Sequence, residues 1–417
     1  MNRARLMPVG GRLFLPLLLP VLVRALGAAE APADGRSPVD ATPAVVRLES
    51  PRDYQVFQRT DARNGAITVE GTWSVPRHTS APPDALQFRV VGSPAGGDAA
   101  AWQPLPFNPG ARGFRARIPL APGGWYRVDV RLLRHESPLA TTAVAHVGVG
   151  EVFLIAGQSN SANYDEERQR PTTGRVAAFD GTDWRIAADP EPGATGKKGS
   201  FIPSFGDALV RRFHVPVGVV CIGVGGTSIR EWMPAGHPMA LPPTTGAHCL
   251  VLADGSLVST GELFDLLVGR LRGFPPHGLR AVLWHQGESD WHQPPGHGIA
   301  LAAYRADLGE LIADSRRAAG WNVPWFVAQV SYGNPSVPGS DAMRAQQRAV
   351  VDDRLTFGGP NTDTLTGLLR EKHGQGVHFS AEGQRRHGAL WAEIVGDWIA
   401  RRDDDVATSP AAASPRP

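Results

Sequence analysis

Five consecutive apolar residues, Val152 to Ala156, stop at Gly157 and are followed by the polar run Gln158-Ser159-Asn160. A continuous apolar run that ends on a turn signal suits a strand buried on both faces of a parallel sheet. The plan recurs twice. Residues 217–222 lead through glycines to Gly225-Gly226-Thr227-Ser228, and residues 281–284 lead into His285-Gln286-Gly287-Glu288. Helical patterns alternate with these runs. Pro203 to Phe213, with Phe205, Leu209 and Phe213 on one face, precedes the strand Val217 to Ile222; Gly261 to Leu271 precedes Leu279 to Trp284; Leu301 to Ala319 precedes Trp325 to Val330. Such alternation predicts a parallel, doubly wound α/β sheet with helices on both faces. From Ala381 a last helix is predicted, with Leu390, Trp391, Ile394, Val395, Trp398 and Ile399 on one face and Ser380 as its N-cap.

Upstream the pattern differs. From Val45 to about Val149 short runs alternate apolar and polar residues, as in Ala66-Ile-Thr-Val-Glu-Gly and Trp125-Tyr-Arg-Val-Asp-Val-Arg-Leu, with Gly, Pro and Asp between them. Antiparallel strands with one wet face, and hence a small all-β sandwich, are the expectation for 45–149. This stretch also fits a carbohydrate-binding module, although no aromatic platform stands out and a packing role fits better. The α/β domain is expected over 150–403.

The chain starts with Arg3, Arg5 and Arg12, then the apolar Leu13 to Val23, then the small residues Gly27, Ala28 and Ala29. That order is the pattern of a secretory signal peptide, expected over 1–29. The apolar run is shorter than the ~20 residues a spanning helix needs and contains Pro16 and Pro20. A secreted or periplasmic protein with no membrane span after cleavage follows. Residues 30–44, rich in Ala, Pro, Asp and Ser, read as a linker, and 404–417 as a disordered tail.

A chain of 417 residues holds about two domains. Its net charge of +2 is too close to neutral to argue for nucleic acid or a polyanion as partner. Only two cysteines are present, Cys221 and Cys249. In an exported protein they can pair; equally, Cys221 lies in an apolar strand, where a thiol acts as a small hydrophobe.

Three strands with polar, glycine-containing tips, together with a late Gly376-Val377-His378-Phe379-Ser380, bring Ser159 and His378 forward as nucleophile and base. A Gly-x-Ser turn alone is also an ordinary helix start. The blocks Gly157-Gln158-Ser159-Asn160, Gly225-Gly226-Thr227-Ser228-Ile229, Trp284-His285-Gln286-Gly287-Glu288-Ser289 and His378-Phe379-Ser380, in this order, resemble the SGNH-hydrolase superfamily. Within it they are similar to the sialate O-acetylesterase-like carbohydrate esterases. The resemblance implies a flavodoxin-like parallel sheet and a serine esterase acting on acetylated carbohydrates. It gives the backbone N–H groups of Ser159 and Gly226 an oxyanion role and puts Gln286 where many relatives use an asparagine side chain. Gln158, Asn160, Arg230 and His285 are its candidates for substrate binding.

The sequence departs from the pattern at one point. Relatives carry an aspartate three residues before the histidine, and here that position is Gln375. An amide can fix the imidazole tautomer but supplies no negative charge. Glu288 is the preferred substitute carboxylate, ahead of Asp290, Asp363 and Glu371. A second reading stays open, that of a carbohydrate-binding protein that lost activity with its acid. The cluster His285, Glu288, Asp290, His292 and His297 lacks metal-site spacing, and no phosphate-binding glycine motif appears, so neither metal nor cofactor is expected.

Overall fold

The computed structural model describes residues 43–76, 82–92 and 101–408. Its largest sheet carries the strands Val217–Cys221, Ser137–Gly157, Ala281–His285, Trp325–Gln329 and Thr356–Asn361 side by side and parallel. Numbered along the chain, these five run second, first, third, fourth, fifth, the flavodoxin-like order. A short strand, Val176–Phe179, extends the edge in parallel beside Val217–Cys221, and Trp184–Ile186 closes that edge antiparallel. The long strand Ser137–Gly157 therefore has later strands on both sides, so a crevice opens beyond its C-terminal end.

Alternate residues of that strand face opposite layers. Val152, Leu154 and Ala156 join the helices Glu262–Arg272 and Leu301–Ala319 in one core, through Leu263, Leu267, Leu308 and Leu311. Phe153 and Ile155 pack with the helices Ile202–Phe213 and Ala381–Thr408 in the other, through Phe205, Leu209, Trp391 and Val395. Each such aliphatic or aromatic side chain contributes about 1.5–3 kcal/mol on full burial. Ser380 Oγ accepts the Gly383 N–H at 3.2 Å, the bond expected of an N-cap.

The N-terminal strands fall in two groups. Val45–Ser50, Ala66–Ser74 and Gly113–Pro119 form a three-stranded antiparallel sheet. Ala85–Val91 and Gly123–Arg134 pair antiparallel, and Gly123–Arg134 pairs in turn with the first half of Ser137–Gly157. Ile67, Val69, Val128, Val130, Val147 and Val149 meet in a common core.

The boundary expected between residues 149 and 150 is corrected here. It falls inside the strand Ser137–Gly157, and the described residues, from Pro43 onward, group as one compact unit. The hydrophobic pattern changes there because the strand passes from an antiparallel to a parallel setting, from one wet face to none. Glu151, fully buried at that point, accepts from Arg59 at 2.6 Å and Arg280 at 2.5 Å, and Arg59 also reaches Asp403 at 2.7 Å. The Asp403 contact lies in the last helix, which continues to Thr408 through the start of the stretch expected as a tail. The expected signal peptide, nearly all of the linker and the rest of the tail lie outside the described residues. Among the described residues no helix is long and apolar enough to cross a membrane. Cys221 and Cys249 are both free thiols.

Candidate active site

Gly157 ends the long strand with φ +126°, and a Cβ there would stand 2.1 Å from His285 O. Only glycine lets the two strand ends approach so closely. The chain then turns through a short 3-10 segment, Ser159–Ser161. Ser159, Gly226 and His378 line one cavity of about 750 Å³ at this end of the sheet. Gly226 follows the strand Val217–Cys221, so two strand tips and the His378 loop meet here.

His378 is held by a carboxylate, and that carboxylate is Glu371. Nδ1 of the ring lies 2.7 Å from Glu371 Oε1. The chain between them folds back on itself: Glu371 N donates to His378 O at 2.9 Å, Gly376 N donates to Glu371 O at 3.1 Å, and Arg370 bridges antiparallel to Phe379. Lys372 and His373 take left-handed backbone angles to make the turn. A Cβ on Gly376 would meet Glu371 Cγ at 2.2 Å, so the close packing of this loop requires glycine there. Arg370, 1% exposed, pins the loop by donating to Leu365 O, Val377 O and Thr362 O, with its guanidinium 4.4 Å from the Tyr332 ring centroid and 4.1 Å from that of Phe379. Burial pulls its pKa down to about 10.

A carboxylate only accepts, so the bond to Glu371 puts the ring hydrogen on Nδ1 and leaves Nε2 with a lone pair. Burial holds the His378 pKa below its ordinary value, although the Glu371 charge pulls the other way. Tyr164 stacks on the ring, centroids 5.5 Å apart. Lys198 Nζ stands 3.8 Å from the second Glu371 oxygen.

The expectation that Glu288 orients His378 is therefore corrected. Glu288 Oε1 accepts instead from Asn160 Nδ2 at 2.7 Å and lies 3.1 Å from His285 Nε2. Burial would raise its pKa, but the His285 ring and the bonds from His285 and Asn160 outweigh that and hold it at about 2. Gln375 is exposed at the cavity edge. Asp363 is occupied by Ser331 and Arg344, and Asp290 by Ser228, Ile229 N and Gln286.

Gln286 is corrected as well. It is fully buried, and its Nε2 donates to Asp290 Oδ2 at 2.7 Å and Thr227 O at 3.1 Å, so both hydrogens point away from the cavity. The backbone N–H groups of Ser159 and Gly226 carry no hydrogen bond among the described residues, and both residues line the cavity.

Of the residues expected to bind substrate, Gln158 lines the cavity. The other three do not line it and are held by protein partners. Arg230 donates to Ser228 Oγ, Leu241 O and His297 O, tying two loops together. Asn160 holds Glu288 and reaches Val377 O at 3.4 Å. His285, 1% exposed, sits between Glu288 and His387, whose Nε2 lies 3.1 Å from His285 Nδ1 and accepts from Trp391 Nε1 at 3.0 Å.

Sequence reasoning missed Tyr164 and Lys198 and placed Glu371, with Asp290 and Asp363, below Glu288. One signal pointed to Glu371: Gly374 and Gly376 flank Gln375, and glycines in such a turn bring a residue on the opposite arm beside His378. His292 and His297 meet the carbonyls of Ser331 and Pro242, and among the described residues no group of three or more His, Cys, Asp or Glu is arranged to hold a metal ion.

Matches among solved structures include a carbohydrate acetylesterase from Xanthomonas citri, 19% identical, with 86% of this chain and 76% of that one covered and a TM-score of 0.49. A protein from Arabidopsis thaliana is 18% identical, with 59% of this chain and 98% of that one covered and a TM-score of 0.42. A peptidoglycan O-acetylesterase is 10% identical, with coverages of 89% and 81% and a TM-score of 0.31. No curated protein matches the chain. The family model described as carbohydrate esterase, sialic acid-specific acetylesterase matches residues 149–396, and the chain belongs to that family of carbohydrate acetylesterases.

Proposed function

We propose that the protein is an exported serine esterase that removes O-acetyl groups from carbohydrates through an acetyl-enzyme on Ser159. The parallel strands and their helices are read as an SGNH-type hydrolase fold, and the antiparallel strands from Val45 onward as a β-sandwich that shares the strand Ser137–Gly157 with it. The observation that carries the reading is the His378–Glu371 pair in the cavity that Ser159 also lines.

The chemistry follows from these groups. Ser159 Oγ attacks the acetyl carbonyl as His378 Nε2 takes its proton, and the Glu371 charge stabilises the imidazolium formed. The Ser159 and Gly226 N–H groups meet the oxyanion. The tetrahedral adduct collapses with cleavage of the bond to the sugar oxygen, which takes the proton from the His378 imidazolium and leaves as the free hydroxyl. Water, deprotonated by the same ring, then releases acetate and restores Ser159.

A carboxylate at 371 supplies the charge that Gln375 cannot, and with it the reason for an inactive binding protein falls away. Export is supported by the arginine-then-apolar order of the first residues. The test is acetate release from acetylated sialic acid, acetylated xylan and acetylated xyloglucan by wild type and Ser159→Ala. Wild type should release acetate from at least one, and Ser159→Ala from none. Acetate release by Ser159→Ala at the wild-type rate would remove Ser159 from the mechanism.

A further inference from the structure

We propose that the side-chain amide of Gln158 is the third oxyanion donor, taking the place that sequence reasoning gave to Gln286. The inference rests on the serine-esterase reading and deepens it. Of the three amides in the Gly157–Asn160 and Trp284–Ser289 blocks, two have their N–H groups committed. Gln286 Nε2 donates to Asp290 and Thr227 O, and Asn160 Nδ2 to Glu288 and Val377 O.

Gln158 is arranged the other way round. Its Oε1 accepts from Ser289 N at 3.0 Å and Gly287 N at 3.3 Å, with Gln286 Nε2 at 3.5 Å. Two backbone donors on the same atom identify it as the oxygen and so fix which end of the amide is NH₂. That Nε2 has no hydrogen-bond partner among the described residues, and Gln158 lines the cavity together with Ser159 and Gly226. The side chain is only 3% exposed and anchored at its oxygen, so the free N–H groups are held in place before substrate arrives. Donors converging on Oε1 polarise the amide and make its N–H groups better donors. A pre-positioned, partly desolvated donor beside the nucleophile is what a developing oxyanion requires.

Gln158→Glu keeps the size and the accepting oxygen and removes the donor. It is assayed on p-nitrophenyl acetate, which has no sugar, and on an O-acetylated sugar that wild type hydrolyses. The proposal expects kcat to fall about 10²–10³-fold on both substrates with KM little changed. Affinity for a small alkylboronic acid, which forms a tetrahedral adduct on a serine hydroxyl, should fall with kcat. A loss confined to KM for the sugar, with p-nitrophenyl acetate untouched, would overturn the proposal and make Gln158 a sugar contact. Wild-type rates on both would overturn it too, while inactive Ser159→Ala would leave the esterase reading standing. If Gln158→Glu does not fold, Gln158→Met, of similar length and without a donor, is read on the same two substrates with the same outcomes.

Discussion

His378 Nδ1 and Glu371 Oε1 lie 2.7 Å apart, joined by a loop that returns on itself, whereas the residue three before the histidine, Gln375, faces outward. A carboxylate thus meets the imidazole from the opposite arm of the same turn. Glu371→Gln should therefore lower kcat by on the order of 10²–10⁴-fold with the fold intact, since an amide leaves the imidazolium unstabilised. Gln375→Ala should stay within a few-fold of wild type. Steady-state kinetics on a chromogenic acetyl ester decide it, and the reverse ranking would return the role to Gln375.

The acid limb of the pH profile reports the same ring. Burial keeps the His378 pKa below 6.5, so kcat/KM should stay high down to a midpoint below that pH and then fall as the ring protonates. Because the Glu371 charge is what raises this pKa against burial, the residual activity of Glu371→Gln should show its midpoint at still lower pH. A limb that does not move, or moves up, would mean that Glu371 does not act on the titrating group.

Gly376→Ala is a test from outside the reacting groups. Its Cβ would stand 2.2 Å from Glu371 Cγ, so Glu371 or the loop must shift, and a shift of about 1 Å can cost on the order of 10²-fold in rate. Activity should drop toward that of Glu371→Gln, and the double variant should be no worse than Glu371→Gln alone. Additive losses would show that the glycine serves something other than this contact.

Much of the site is legible in the sequence because it lies at strand ends. Apolar runs closing on glycine announce the tips that carry Ser159, Gly226 and His285, and the late helix announces the loop with His378. What the sequence hides is direction. Gln286 stands at the right strand end, but Asp290, one helical turn later, takes its amide away from the cavity. Glu288 stands there too, yet Asn160 and His285 claim its Oε1. Glu371 is placed by a turn with left-handed residues at Lys372 and His373, which no periodicity marks. The supposed boundary at residue 149 has the same origin: a change in what covers the strand looks, in sequence, like a change of domain.

The last prediction concerns Glu288 and acid stability. Its carboxylate is fully buried between Asn160 and His285, with a pKa of about 2 against an ordinary value of 4.5. A depressed folded-state pKa contributes stability that is fully present above the unfolded value and is lost as pH falls from about 4.5 to about 2. The difference corresponds to about 3 kcal/mol. Glu288→Gln removes this pH-dependent part while keeping the shape, because Oε1, the atom that meets both Asn160 Nδ2 and His285 Nε2, remains an acceptor in the amide. Other buried carboxylates, such as Asp189 and Glu191, are common to both proteins and cancel in the comparison. Urea unfolding of the two proteins at stepped pH should show wild type more stable at neutral pH and the gap closing by about 3 kcal/mol as pH falls through that window. A gap that stays constant with pH would mean that the carboxylate gains nothing from His285 and Asn160 in the folded protein.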